Sequence, residues 1–272
     1  SDMIREPASF RDHTATVFVD GDRVLRGLRR PALESWHALR KSAFFSDAQG
    51  SGAIVATAEC DAPATIDVSD EFAAWLQHAR VPFVSYPYEW TFEMLRDAAL
   101  LHLDLVEAAL KDGLITKDGS SYNIQWIGAK PTFIDVGSIE TYRDGRPWFG
   151  YGQFCALFLN PLAIHALLGV PFHDLLRGGL EGIGPRHAAA MLGWRRCLRR
   201  GLFRHILLHG LLERGLSLEA QGKTDISSNP MFTAATISSL VKGLRRTIEA
   251  LPSPTKSGVW YDYEKTHSYE DE

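Results

Sequence analysis

Residues 114–138 run Leu114-Ile-Thr-Lys-Asp118-Gly-Ser-Ser-Tyr-Asn123-Ile-Gln-Trp-Ile-Gly-Ala-Lys-Pro-Thr-Phe-Ile-Asp135-Val-Gly-Ser138. Apolar runs bounded by turn-forming residues predict two short strands here, over 122–127 and 132–136. Asp118 precedes the strand pair, Asn123 follows five residues later, and Asp135 closes the second strand. A carboxylate, an amide and a second carboxylate are therefore spaced along one loop-and-strand segment.

Upstream, Thr91 is a plausible N-cap for a long helix that ends at Gly113, because apolar residues recur every three to four positions between them. Asp20-Gly21 lies between two strand-like runs and predicts a hairpin. Pro31 is suited to the first turn of a helix. We also expect strands over 54–57 and 81–85, a short helix over 72–78, mainly helix over 153–218, and a helix over 232–251.

Strands thus concentrate in the first third of the chain and helices in the last half. This distribution predicts an α+β protein with a sheet-rich N-terminal lobe and a helical C-terminal lobe. A formal net charge of -4 and a pI near 6.2 argue against nucleic-acid or membrane-surface partners. Three distant cysteines predict neither disulfides nor a cysteine metal site, and they fit a cytoplasmic location. We expect the apolar stretch 154–170 to be too short and interrupted to cross a bilayer.

The order of long helix, short strand, Asp118-x4-Asn123, strand pair and Asp135-Val-Gly resembles the protein-kinase-like superfamily, in its aminoglycoside-phosphotransferase-like branch. The resemblance implies a two-lobed fold with a small β-rich N-lobe (3–84), a hinge (85–90) and a larger helical C-lobe (91–251). Residues 252–272 would be a linker or tail. The resemblance also implies a phosphotransferase that uses ATP and Mg²⁺.

Residue by residue, the resemblance makes Asp118 the catalytic carboxylate, with Lys117 beside it, and makes Asn123 and Asp135 the magnesium ligands. Considered singly, each of these residues is better explained by a turn, since Asp, Asn and Gly are the usual turn formers. Their combined order favours the kinase-like interpretation. A small hydroxylated substrate or a carbohydrate is the expected acceptor, because Ser120 stands where protein kinases place a lysine.

The nucleotide contacts implied by the resemblance lie further upstream. Arg23-Val-Leu-Arg26 aligns with the Val-Ala-Ile-Lys pattern, so Arg26 would bind phosphates and Val24 would face adenine from the same side of the strand. Glu34 is the only carboxylate on the following helix and is the expected partner of Arg26. Tyr86 and Tyr88, in the hinge, would lie against the base, although core packing is the somewhat better explanation for either residue taken alone.

Other features favour a second hypothesis. Residues 10–15 contain no glycine where a phosphate-binding glycine loop would lie, and arginine replaces the expected lysine at position 26. In addition, segments 81–90, 122–126 and 150–154 resemble bacterial proteins in which such a region precedes a class I S-adenosylmethionine-dependent methyltransferase domain. The alternative is a weak or inactive kinase-like module, a pseudokinase, that binds nucleotide or serves as a scaffold for a methyltransferase. We expect no methyl transfer by this chain alone.

Overall fold

The structure is a computed structural model that describes residues 4–5, 13–63, 71–198, 202–208 and 231–254. It is a mixed α/β protein in which a small antiparallel sheet precedes a helical region. This arrangement confirms the predicted distribution of strands and helices along the chain.

The N-terminal sheet has five strands in the order β1-β2-β3-β5-β4, and all its neighbours are antiparallel. Their bounds are β1 Ile4–Arg5, β2 Ala15–Asp20, β3 Arg23–Leu28, β4 Thr57–Cys60 and β5 Ala74–His78. The hairpin predicted at Asp20-Gly21 is confirmed: Asp20 pairs with Arg23, and Gly21 has a φ of 58°, which favours glycine.

The two faces of this sheet have different environments. On the outer face, Phe18, Leu25 and Trp75 form a small separate cluster. On the inner face, Leu28 and Leu76 join the main core of the protein. Because side chains alternate along a strand, the pairing register fixes the rest of this inner face. Its members on β2, β3 and β5 are Ala15, Val17, Val19, Val24, Arg26, Leu28, Ala74, Leu76 and His78, and Thr57 and Glu59 of β4 share the face.

Two sequence expectations near the sheet are wrong. Residues 72–78 were expected to form a short helix, but Ala74–His78 is strand β5. Trp75 and Leu76 are both buried, because each lies on a covered face of the sheet, so their pattern lacks the alternation typical of a strand. Residues 81–85 form no strand, and Pro82 and Phe83 lie in a bend. For residues 54–57, Ile54 makes only an isolated bridge to Phe133, and the strand begins at Thr57.

Two helices follow the hairpin, α1 (Arg30–Lys41) and α2 (Ala43–Gly50). Pro31 lies in the first turn of α1, as predicted, where its missing N–H costs no hydrogen bond. Trp36 and Leu39 are the buried residues of α1. Ser42 caps α2, since its hydroxyl accepts a hydrogen bond from the backbone N–H of Phe45 at 3.1 Å.

The long helix α3 spans Phe92–Lys111. The Thr91 hydroxyl accepts from the Met94 N–H, and Gly113 has a φ of 68°, which confirms both predicted ends. Ten residues of α3 are buried, His102 among them. This helix therefore forms the centre of the helical region.

Two strand pairs follow α3. Strand β6 (Leu114–Thr116) pairs with β9 (Ile139–Thr141), and β7 (Ile124–Ile127) pairs with β8 (Lys130–Phe133). The β7–β8 pair confirms that two short strands pair here, as expected over 122–127 and 132–136, but the second strand lies over Lys130–Phe133 and Val136 begins a 3-10 turn. The β6–β9 pair brings the two ends of segment 114–138 together.

The remaining helices are α4 (Tyr151–Phe154), α5 (Asn160–Leu168), α6 (His173–Gly178), α7 (Pro185–Cys197) and α8 (Ala234–Glu249). A π-helical stretch, Cys155–Leu159, joins α4 to α5, and another spans Phe203–Leu208. Helix α8 confirms the prediction for 232–251. The predicted helix over 209–218 and the tail 255–272 lie outside the described residues.

Within the described residues, Tyr151–Leu168 is long and apolar enough to cross a membrane by length and composition, with a mean hydropathy of 1.3. However, 61% of this segment is buried inside the protein. Such burial is also what a core helix shows, so the segment is weak evidence for a membrane span.

Candidate functional site

Asn123 and Asp135 lie at the same end of the β7–β8 pair. Asn123 directly precedes β7, and Asp135 follows β8 by two residues. The backbone N–H of Ile134 donates to the Asn123 carbonyl at 2.8 Å, which extends the pairing to the residue beside Asp135. The two predicted magnesium ligands are therefore neighbours on adjoining chain segments, and both are half-buried.

Asp118 lies in the loop between β6 and the 3-10 turn Ser121–Asn123. This loop is tied to the turn after Asp135, because the Lys117 N–H donates to the Ser138 carbonyl at 2.7 Å. Ser138 in turn donates through its backbone and its hydroxyl to the Asp135 carbonyl. Asp118 is exposed and therefore lies at the solvent-accessible edge of this loop.

Gly119 fixes the path of the Asp118 loop. A Cβ at this position would lie 2.2 Å from the Gly150 carbonyl oxygen and 2.7 Å from the Phe154 nitrogen, so only glycine fits. The Gly119 N–H donates to the side-chain oxygen of Gln153 at 2.9 Å. Helix α4 therefore supports the loop directly. Gln153 lies in segment 150–154, which resembles the bacterial proteins noted above, but its contact with Gly119 could not be predicted because the two residues lie 34 positions apart.

A buried histidine anchors the strand that leads into the loop. His102 of α3 lies 3.2 Å from the Thr116 hydroxyl through its Nε2, and aromatic rings such as Phe133 and Trp148 surround it. Burial lowers the pKa of His102 to about 3, so its ring is neutral. The Trp148 indole also donates to the Thr116 carbonyl, at 3.0 Å.

Arg26 reaches Asp135 from the sheet. Its Nη1 lies 2.9 Å from Oδ1 of Asp135, and only 10% of the Arg26 side chain and 28% of the Asp135 side chain are exposed. Gly137 makes room for the guanidinium, since a Cβ there would lie 2.1 Å from Nη1. The structure thus brings together a basic residue of β3 and a carboxylate of segment 114–138.

Glu34 is not the partner of Arg26. Its side chain is 80% exposed and lies 3.8 Å from Arg143. Trp36 and Leu39 point into the core, and the helical period places Glu34 on nearly the opposite side of α1 from Trp36. The ion pair expected between Arg26 and Glu34 is replaced by the pair between Arg26 and Asp135.

Lys117 lies beside this arrangement. It lines a cavity of about 120 Å³ between α1, the inner face of the sheet and the turn after Asp135. Apolar residues of all three parts, including Leu28, Trp36 and Val136, form its walls. Lys117 shares this cavity with the carboxylate Glu140 and with Gly137, which lies against the Arg26 guanidinium.

Val24 lies on the inner face two residues before Arg26, as predicted from strand alternation. Val17 and Val19 of β2 share this face through the register of the hairpin. All three valines are half-buried, although they lie on the face that joins the main core. They leave a strip of apolar surface next to Arg26.

The linker between β5 and α3 contains Tyr86 and Tyr88, whose rings stack with centroids 5.3 Å apart and planes 8° apart. Arg177 of α6 lies over the ring of Tyr88 at 5.3 Å. Ser85 exchanges two hydrogen bonds with the buried side chain of Gln125 on β7, at 2.9 and 3.0 Å. Arg177 therefore holds the linker at Tyr88, and Gln125 of β7 holds it at Ser85.

The residues present fit magnesium better than a transition metal. Among the described residues, no group of three or more His, Cys, Asp or Glu side chains could hold a metal ion. Magnesium does not need such a group, because it is commonly held by one or two protein oxygens together with water and phosphate. Asn123 and Asp135 would supply one amide and one carboxylate for this purpose, and Oδ1 of Asp135 is held by Arg26 in this structure.

The fold and the site define a mixed α/β protein in which a basic strand residue of the sheet faces a carboxylate that ends a β-hairpin. No family model matches the chain. It is similar to nodulation protein NoeA of Rhizobium meliloti (strain 1021), with 33% identity over 275 residues. The matched region covers 97% of this chain and 56% of NoeA, so the chain spans little more than half the length of that relative.

Proposed function

We propose that this chain has a protein-kinase-like architecture and transfers phosphate from ATP to a hydroxyl of a small molecule or carbohydrate. The observation that carries the proposal is the contact of Arg26 with Asp135, because it joins the sheet to the segment that holds Asn123 and Asp118. Phosphoryl transfer needs a cation on the phosphates and oxygen ligands on the metal close to one another, and this contact supports such a placement of Arg26 and Asp135. The β-rich part would be the N-lobe (3–84), residues 85–90 the hinge, and 91–251 the C-lobe.

Each residue has a definite role in this proposal. Asn123 and Asp135 would hold magnesium, which neutralises charge on the nucleotide phosphates when it is bound. Arg26 would turn from Asp135 to the phosphates, and Lys117 would add a second positive charge. Asp118 would accept the proton of the acceptor hydroxyl, and its exposure is what an incoming substrate requires.

The environment of Ser120 supports a small acceptor. Ser120 is buried, and its hydroxyl accepts a hydrogen bond from the Tyr122 N–H at 3.2 Å. A short, buried hydroxyl cannot replace the long lysine that protein kinases place beside the transferred phosphate. The charge needed for transfer would then come from Arg26 and Lys117.

ATP turnover with a panel of hydroxyl compounds tests the proposed activity. We expect wild type to consume ATP in the presence of one class of acceptor, and Asp118→Ala and Asp135→Ala to lower the rate at least about 100-fold. Asp47→Ala is the matched control, because Asp47 is an exposed carboxylate on α2. Equal rates in wild type and both site variants would contradict the proposal.

A second candidate is a non-catalytic nucleotide-binding or scaffold module attached to an S-adenosylmethionine-dependent methyltransferase. The Arg26–Asp135 pair also favours it, because a guanidinium held on Asp135 opposes metal binding there. The 44% of NoeA that this chain does not match leaves room for a further domain. By its similarity to a nodulation protein, the chain would act in a nodulation-associated process, and its expected location remains the cytoplasm.

Thermal unfolding with ATP and Mg²⁺ separates the binding module from the pure scaffold. A ligand at a hundredfold excess over its Kd stabilises the folded state by about 2.7 kcal/mol. A rise in Tm without ATP turnover would support the non-catalytic nucleotide-binding module. No change in Tm would leave only the scaffold role.

A further inference from the structure

His78 is a buried histidine on the inner face of the sheet, close to the proposed nucleotide site. It ends β5, pairs with Val24 across to β3, and is 6% exposed. Strand alternation and the pairing register place it on the same face as Arg26. It also borders the strip formed by Val17, Val19 and Val24. No sequence motif identifies His78 as a site residue.

The hydrogen bonds of Thr57 determine which ring nitrogen of His78 carries the proton. The Thr57 hydroxyl lies 3.0 Å from the Val55 carbonyl and 2.8 Å from Nδ1 of His78. A carbonyl can only accept, so the single hydroxyl proton goes to Val55. Thr57 must therefore accept from Nδ1–H of His78, which leaves Nε2 without a proton in the neutral ring.

The ring stays neutral at all ordinary pH values. Burial, and to a lesser extent the charge of Arg26, lower the pKa of His78 to about 3. Nε2 is therefore a hydrogen-bond acceptor. It is buried and has no partner among the described residues. An acceptor in this state is costly unless another molecule satisfies it.

A second unsatisfied atom lies on the same face. Nε of Arg26 is also buried without a partner among the residues that the structure describes, and it is a donor. The inner face thus has a buried, unsatisfied acceptor at β5 and a buried, unsatisfied donor at β3, with the half-buried valines beside them, so a ligand must displace part of the covering side chains to reach either atom. A flat apolar ring that carries an N–H donor is chemically complementary to the His78 side of this surface.

We infer that Nε2 of His78 accepts a hydrogen bond from the 6-amino group of a purine and makes the site selective for adenine nucleotides. This inference rests on the proposed function, because it assumes that the nucleotide binds against the inner face. Guanine and hypoxanthine carry a carbonyl at position 6, which would place an acceptor against an acceptor. His78 would then be a specificity-determining residue.

Competition between nucleotides with different groups at position 6 tests the inference. The probes are ATP, purine riboside triphosphate, which lacks the amino group, and inosine triphosphate, whose carbonyl accepts. In the presence of Mg²⁺, wild type should bind ATP about tenfold more tightly than the purine analogue, as expected for one hydrogen bond. Inosine triphosphate should bind more weakly still.

Variants of His78 assign this selectivity to the ring. His78→Leu should bind ATP and the purine analogue equally, and His78→Gln should narrow the gap between ATP and inosine triphosphate, because an amide can also donate. Gln77→Leu is the matched control, since Gln77 is exposed and lies on the other face of β5. If His78→Leu does not fold, the ratio of the affinities of His78→Gln for ATP and inosine triphosphate tests the role of His78.

The outcomes separate this inference from the proposed function. Tight binding of ATP with no preference over the purine analogue, or a preference that survives in both His78 variants, would overturn the role of His78 alone. In that case a buried water between His78 and Arg26 would account for the unsatisfied atoms. No binding of any nucleotide by wild type would overturn both proposals.

Discussion

At the scale of single residues, the carboxylate of Asp135 compensates the buried positive charge of Arg26. The guanidinium is always charged, and only 10% of the Arg26 side chain is exposed. Removal of Asp135 would leave that charge without its partner, which is more damaging than removal of both groups. The ion pair should therefore contribute to stability in addition to any role in binding.

We predict that Asp135→Ala lowers the free energy of unfolding by about 1–3 kcal/mol, as for other hydrogen-bonded charged groups that lose a partner. When Arg26→Met is added to Asp135→Ala, the double variant should recover most of the lost free energy of unfolding. Urea unfolding monitored by tryptophan fluorescence provides the measurement. Arg23→Ala, on the exposed end of β3, is the control. A double variant no more stable than Asp135→Ala would argue against the ion pair as the cause.

The buried ring of His102 makes stability depend on pH. Its pKa is about 3 in the folded protein, below the ordinary value of 6.5. Between these two values the unfolded chain binds a proton that the folded chain does not. The free energy of unfolding should therefore fall as the pH falls from about 6.5 towards 3, by about 1.4 kcal/mol per pH unit for one such histidine.

His102→Leu should reduce this slope, and unfolding in urea at pH 7 and pH 5 would measure the change. His78 contributes a slope of the same sign, because its pKa is also about 3, so the variant retains part of the effect. His37→Gln is the control, as His37 is exposed on α1. The same slope in wild type and His102→Leu would show that the acid sensitivity arises elsewhere.

At this scale the sequence contains Asp118, Asn123 and Asp135 in the kinase-like order, and it predicted that Val24 and Arg26 share one side of β3. It did not predict the ion-pair partner of Arg26, because that choice depends on how α1 is rotated against the sheet. His78 lies outside every segment that the sequence singles out, and Gln125 lies in segment 122–126 without an assigned role. Their contacts join residues 21 and 40 positions apart, which no local pattern reveals.

At the scale of secondary-structure elements, the loop between β6 and β7 depends on its contact with α4. Gly119 is pressed against Gly150 and the first turn of α4, so a methyl group there forces the loop or the helix to move. The loop also carries Asp118. A change at Gly119 should therefore affect both stability and the site.

We predict that Gly119→Ala costs about 1–3 kcal/mol of stability, as overpacking generally does. Gly50→Ala is the matched control, because it ends α2 with no atom within 4 Å of the added Cβ. It should be neutral or slightly stabilising. Thermal unfolding of the two variants beside wild type gives the comparison. A Gly119→Ala protein as stable as wild type would mean that α4 does not hold the loop.

Elements with strong local signals were predicted well. The Asp20-Gly21 hairpin, α3 between Thr91 and Gly113, and the β7–β8 pair all have turn or capping residues at their ends. Strand β5 was predicted as a helix because both of its faces are covered, which removes the alternating pattern. Pairing with β3 and β4, which lie distant in sequence, determines its conformation.

At the scale of the whole molecule, one hydrophobic core connects the sheet to the helical region. It extends from Ala15 and Leu28 on the inner face, through α3, to Val241 and Ile248 of α8. Two backbone hydrogen bonds link the segment before β4 to strand β8: the Val55 N–H donates to the Phe133 carbonyl, and the Phe133 N–H donates to the Ala53 carbonyl. The inner face of the sheet is thus held at a fixed place above Asn123 and Asp135, which is the arrangement that the proposed site needs.

A crystal structure with ATP and Mg²⁺ tests the central claim most directly, namely that this junction is a nucleotide and magnesium site. We expect the base against Val24 and His78, the metal on Asn123 and Asp135, and the Arg26 guanidinium moved from Asp135 to a phosphate. ATP bound elsewhere, or no ATP at saturating concentration with the Arg26–Asp135 pair still intact, would contradict the claim.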